Sequence, residues 1–115
     1  MTEGRSQARH PTQPPWPVSL TDSGASFGEA VNLSEHGMML LCPEPLERRS
    51  VWRIAMDCSE AAPERSPIHL SCEVRWCTRR ESAHGYGCGL QFLAIDRRDA
   101  ELIHYLVSLL SAHAA

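Results

Sequence analysis

The chain has 115 residues, 43% hydrophobic and 22% charged. That is the balance of one globular domain able to bury roughly two-thirds of its unfolded surface without disulfides or a structural metal. A formal net charge of −3 excludes a protein that holds duplex nucleic acid by bulk electrostatics. It leaves room for a small anionic ligand gripped by a local group of arginines. All 11 basic residues are arginine, each a planar fork that can hold phosphate or guanine through two bonds. The five cysteines, Cys42, Cys58, Cys72, Cys77 and Cys88, are odd in number and contain no C-x-x-C pair. Their spacing fits neither a zinc ribbon nor a disulfide framework, and free thiols in that number point to a reducing cytoplasm. The N-terminus lacks an apolar signal core, and no apolar run reaches the roughly 18 residues that span a bilayer, so membrane insertion is not expected.

In chain order, residues 1–17 are polar and punctuated by Pro11, Pro14, Pro15 and Pro17, which favour an extended path and forbid a helix. They read as a flexible arm carrying Arg5 and Arg9, with the folded domain over 18–115. Short strands are expected at Val18–Thr21, Ser26–Asn32, Met38–Cys42 and Val51–Asp57, separated by Gly-, Ser- and Pro-containing turns. The fifth strand alternates Ile68, Leu70, Cys72, Val74 and Trp76 against His69, Ser71, Glu73, Arg75 and Cys77, giving one buried and one wet face. Cys72 and Cys88 fall on apolar positions and read as small core residues. A sixth strand covers Gly85–Leu93. The pattern then turns helical: Asp96 can cap, and Leu102, Ile103, Leu106, Leu109 and Leu110 recur at helical spacing. With Tyr105 and Val107 the apolar stripe is wide, which suits core packing first and a homodimer or partner face second. The fold class is therefore mostly β: a small six-stranded antiparallel barrel, closed or split, with a C-terminal helix over its mouth.

The run Val31-Asn32-Leu33-Ser34-Glu35-His36-Gly37 resembles the [D/N]-x-S-x-x-G motif of PilZ domains. Arg5-Ser6-Gln7-Ala8-Arg9 matches their R-x-x-x-R motif, and the gap from Arg9 to Asn32 is similar to the family's spacing. Val74-Arg75-Trp76, Gly89-Leu90-Gln91-Phe92 and a closing amphipathic helix extend the resemblance over nearly the whole chain. Either short motif alone is common by chance; the two together, in this order, are specific.

The resemblance implies a non-enzymatic receptor for cyclic di-GMP that needs no cofactor and signals to a separate effector protein. It implies a ligand site built from Arg5, Arg9, Asn32, Ser34 and Gly37, with Trp76 and Arg79 as further candidates. The chemistry suits those side chains. Guanine O6 and N7 are acceptors that match an arginine fork, and guanidinium planes stack on bases. Asn32 offers one acceptor oxygen where many family members have a carboxylate, a change expected to cost on the order of 1 kcal/mol. The Ser34 hydroxyl serves the ligand or bonds the backbone of its own turn. Gly37 supplies either a positive φ or a close backbone approach. Trp76 is expected to pack in the core with its ring near the barrel mouth; Arg79 lies in the following loop.

The second reading is a PilZ-like adaptor that binds no ligand and acts through protein contacts in pilus or flagellar function. Such adaptors usually lack one or both motifs, and both are present here. An enzyme would need a nucleophile–base pair; His84 near Cys88 and His36 near Ser34 are conceivable pairs, but no third orienting group follows for either. A barrel binding RNA or single-stranded DNA would want aromatics interleaved with basic residues on one face. Aromatics are 6% of the chain.

Overall fold

The computed structural model describes residues 8–114. Six strands form a closed antiparallel barrel in the order β1-β2-β3-β6-β5-β4. They are β1 (His10–Leu20), β2 (Ser26–Leu33), β3 (Gly37–Cys42), β4 (Val51–Met56), β5 (Ile68–Arg79) and β6 (Tyr86–Leu93), followed by helix α1 (Arg97–Ala114). Closure is made by β1 against β4, with Val18 opposite Met56 and Leu20 opposite Ile54. It leaves no free sheet edge. Among the described residues no helix is long and apolar enough to cross a membrane.

Alternating residues of every strand fill the barrel. Leu33, Met38, Leu40, Ile54, Met56, Val74, Cys72 and Cys88 are all fully buried. Leu102, Ile103, Leu106, Val107 and Leu110 of α1 join this core. Most of the wide apolar stripe is thus spent on the barrel, and Tyr105 is its one large residue left half-exposed. Asp96 caps the helix as its sequence position suggested, its Oδ1 accepting a hydrogen bond from the Asp99 N–H at 2.8 Å.

Two strands depart from the sequence reading. The first begins at His10 rather than Val18, so residues 10–17 are sheet. Its pairing with β2 is irregular between Pro11 and Trp16, which takes up prolines that have no N–H to give a ladder. Within that irregularity the Thr12 hydroxyl donates to the Ala30 carbonyl at 2.6 Å, replacing the missing backbone donor. Trp16, next to Pro15 and Pro17, is 1% exposed and anchors the segment. The second departure is in β5. The register against β6 shifts between Val74 and Trp76, a bulge that reverses the alternation beyond it. Trp76 therefore faces outward, 40% exposed, and Cys77 turns inward. The expectation that Trp76 continues the buried face is corrected by that one extra residue.

Candidate functional site

Ser34, Glu35 and His36 form the tight link between β2 and β3. The Ser34 N–H donates to the Gly37 carbonyl at 2.9 Å. Its hydroxyl, buried with the residue at 1% exposure, donates to the same carbonyl at 3.3 Å and accepts from the His36 N–H at 3.3 Å. Ser34 thus serves the turn, the backbone role that serines of this kind take. Gly37 is needed for close approach: a Cβ there would stand 2.1 Å from the Leu90 carbonyl oxygen of β6. Among the described residues the positive-φ glycines are Gly24 and Gly85.

Asn32 sits at a bulge in β2, opposite Met39. Its Oδ1 accepts from the Met39 N–H at 3.1 Å and from Arg9 Nη1 at 3.3 Å. The two sequence motifs, 23 residues apart at these positions, therefore touch. β1 makes this contact by pairing His10 with Leu33 and Pro11 with Asn32, which delivers Arg9 to the end of β2. Arg5 lies outside the described residues.

Beside this contact is a cleft of about 200 Å³ lined by Arg9, His36, Gly37, Arg75, Trp76, Gly89, Leu90 and Gln91. The β5 bulge presents both Arg75 and Trp76 to solvent, and Arg75 Nη1 donates to Gln91 Oε1. The indole of Trp76 lies flat across Gly89: a Cβ at that glycine would fall 2.2 Å from Nε1 and 2.5 Å from Cε2. The arrangement offers two guanidinium groups, an imidazole and one face of an exposed indole around a shallow floor of backbone. It suits a planar, acceptor-rich, anionic ligand that lies over the cleft, since the volume is below the roughly 300 Å³ of an enclosing pocket. Glu35 Oε2, in the motif turn, is 3.0 Å from His104 Nδ1 and ties the site to α1.

Of the expected residues, Arg9, Asn32, Gly37 and Trp76 come together, with Ser34 beneath them. Arg79 does not join them. It ends β5 rather than lying in the following loop, and it lines a larger concavity, about 710 Å³, formed by the segment from Arg79 to Tyr86, which gathers no other motif residue. His36, Arg75, Gly89 and Gln91 also line the cleft, although they were not among the expected ligand residues. For Arg75 the signals were its place in the Val74-Arg75-Trp76 run and its wet-face parity in β5. Ser34 and Cys88 have hydrogen-bond partners other than His36 and His84 side chains.

No curated protein matches the chain in sequence. Among solved structures it is similar to the PilZ domain with c-di-GMP of YcgR from Escherichia coli, at 13% identity and a TM-score of 0.76, covering 97% of this chain and 95% of that one. It is also similar to Escherichia coli YcgR in complex with c-di-GMP, at 16% identity and a TM-score of 0.78 over 98% of this chain and 48% of that one. The K. pneumonia MrkH–c-di-GMP complex matches at 15% identity and a TM-score of 0.76, over 99% of this chain and 55% of that one. The chain thus spans about half the length of these last two proteins, and at such identities the likeness is one of fold. The PilZ domain family profile matches residues 3–108, which takes in both arginines of the arm, the asparagine-serine-glycine turn and most of the closing helix. With the barrel and that coverage together, the chain belongs to the PilZ domain family.

Proposed function

We propose that the chain is a cyclic di-GMP receptor that works in the cytoplasm without catalysing a reaction and reports ligand occupancy to a separate effector protein. The observation that carries this reading is the contact of Arg9 with Asn32 at the rim of the Trp76 cleft. It puts a guanidinium fork, an amide and an exposed indole close together, groups whose chemistry suits reading and stacking on guanine. The ligands named for the YcgR and MrkH structures agree with it.

In this proposal Arg9 and Arg5 grip guanine edges and phosphates, Asn32 accepts from guanine N–H groups, and Trp76 stacks on a base. Gly37 leaves room for the base plane, and Ser34 holds the turn in shape. Arg75 and His36 add positive or donor groups around the phosphates; Arg79 is left out of the site. Ligand binding is read out through the N-terminal arm that carries Arg9 and changes the surface an effector meets. Output through an unidentified effector or through a homodimer follows from the same change.

The test is calorimetric titration of cyclic di-GMP into the intact protein and into Arg9→Ala. Micromolar or tighter binding that the variant loses supports the receptor. Absence of binding by the intact protein would transfer the reading to an adaptor that works by protein contacts alone.

A further inference from the structure

Three of the five cysteines meet at one point on the barrel wall, beside the cleft but outside it. Cys88 of β6 donates a hydrogen bond from its thiol to Cys77 Sγ of β5 at 2.8 Å, and Cys42 Sγ of β3 lies 3.7 Å from Cys88 Sγ. The Leu46 N–H also donates to Cys77 Sγ at 3.4 Å. Cys42 and Cys88 are buried, whereas Cys77 is partly exposed. The β5 bulge creates this cluster: without the register shift, Trp76 would point inward and Cys77 outward.

We propose that Cys77 and Cys88 form a peroxide-driven, reversible cross-strand disulfide that fixes the bulge presenting Trp76. Cys77 and Cys88 are direct register partners on antiparallel strands. That pairing sets their Cα atoms about 4.5–5.5 Å apart, inside the range of about 4.4–6.8 Å that a disulfide requires. Cys42 is not a competing partner for Cys88. It pairs with Tyr86, while Cys88 pairs with Leu40, so Cys42 and Cys88 are diagonal at about 7–8 Å, too far to bridge without moving backbone.

The steps follow from exposure. Cys77, the thiol that solvent reaches, attacks one oxygen of hydrogen peroxide; the O–O bond breaks, giving a sulfenic acid and one water. Cys88 Sγ then attacks the Cys77 sulfur, the S–O bond breaks, and the departing hydroxide takes the Cys88 proton as a second water. Two thiols are oxidised by two electrons and one peroxide is reduced to two waters. Burial, with the neighbouring Cys77 and Cys42 sulfurs, pushes the Cys88 thiol well above its ordinary range, so Cys88 is the poorer nucleophile toward peroxide and the first attack falls to Cys77. A dithiol reductant reverses the bond by exchange.

The position gives the bond a consequence. Trp76 precedes Cys77, Gly89 follows Cys88, and Trp76 is the register partner of Gly89. Any change in ligand affinity on oxidation rests on the cyclic di-GMP reading; formation of the disulfide does not. The experiment treats the full chain with a small excess of hydrogen peroxide, quenches, alkylates and digests with trypsin. Cuts at Arg75, Arg79, Arg80 and Arg97 should yield peptide 76–79 linked to peptide 81–97. Two of the five thiols should be lost, and all five should return with dithiothreitol. The link should persist in Cys42→Ser and vanish in Cys77→Ser. Five titratable thiols after peroxide, or a link through Cys42, overturns the proposal. Titration of cyclic di-GMP into the oxidised and reduced forms then reads the effect on the site. If neither form binds, the receptor reading fails while the disulfide result stands on its own.

Discussion

Gly89→Ala separates the ligand platform from the barrel that carries it. The new Cβ falls 2.2 Å from Trp76 Nε1 and 2.8 Å from Cδ1, so something must move. The nearest atoms all belong to one indole that is 40% exposed, and that ring can swing into solvent while β5 and β6 stay paired. The stability cost is then that of losing one partly exposed aromatic contact, about 1 kcal/mol, or about 4 °C in Tm. The binding cost is the stacking of one base, about 1–3 kcal/mol, which weakens cyclic di-GMP by roughly 5- to 150-fold. Gly37→Ala is the control. Its Cβ would meet the Leu90 carbonyl oxygen at 2.1 Å, which is backbone and cannot swing away. β3 and β6 must separate, at about 3 kcal/mol and about 12 °C. Thermal melts followed by ligand titration on both variants, with Trp76 fluorescence as a monitor, decide the matter. Wild-type affinity in Gly89→Ala, with the indole signal displaced, would remove Trp76 from the site. A melt as low as that of Gly37→Ala would show that the ring does not absorb the clash.

Arg9→Ala should weaken cyclic di-GMP by at least about tenfold, the value of a charge-assisted bond, and leave the ligand-free melt within about 2 °C because Arg9 is exposed. Unchanged affinity in a titration would detach the arm from the site. Arg75→Ala should weaken binding by a smaller factor and flatten its dependence on salt, since an exposed cation near phosphates acts through screened charge; equal salt slopes for both proteins would count against a phosphate contact. Asp57 accepts hydrogen bonds from the Ser59 hydroxyl and N–H and from the Ser66 hydroxyl, which hold its carboxyl below the usual range. A lowered folded pKa means stability that is present above the ordinary carboxylate value and is lost as pH falls through the folded value. Asp57→Ala should therefore melt lower at pH 7, and the gap should close below about pH 4; a gap independent of pH would refute that account.

The barrel and helix were readable because their cues are local and repeated. Period-two apolar runs, glycine and proline turns, and the cap at Asp96 each act within a few residues. Two features of the site were not readable in that way. The prolines of residues 10–17 suggested a free arm because a proline cannot donate to a ladder, but Trp16 is buried and the Thr12 hydroxyl supplies a donor from the side chain. Tertiary burial outweighed the local preference. The bulge at Arg75 left no mark in composition, because Arg75, Trp76 and Cys77 fit either parity, and it moved Trp76 from core to cleft. Arg9 and Asn32 show the opposite case: their spacing carried a long-range contact that no propensity encodes, and only the joint pattern of the two motifs made it legible.

Asn32 poses the sharpest question about the departure from a carboxylate at that position. Its single acceptor oxygen is already used twice, by the Met39 N–H and by Arg9 Nη1, while its amide nitrogen faces Met39 Sδ at 3.8 Å, a weak partner. A guanine N–H approaching this residue must share that one oxygen with two donors already on it. Asn32→Asp replaces that nitrogen with a second oxygen able to take a guanine N–H, a gain of about 1 kcal/mol. The same change strengthens the hold on Arg9 in the empty site, but an exposed pair of this kind is worth at most about 1 kcal/mol, and a carboxylate with several lone-pair sites can keep Arg9 and accept guanine together. The expected outcome is binding tighter by up to about fivefold, with the gain smallest at low salt, where the competing ion pair is strongest. Weaker binding at every salt concentration would mean that Asn32 positions Arg9 and never faces the base.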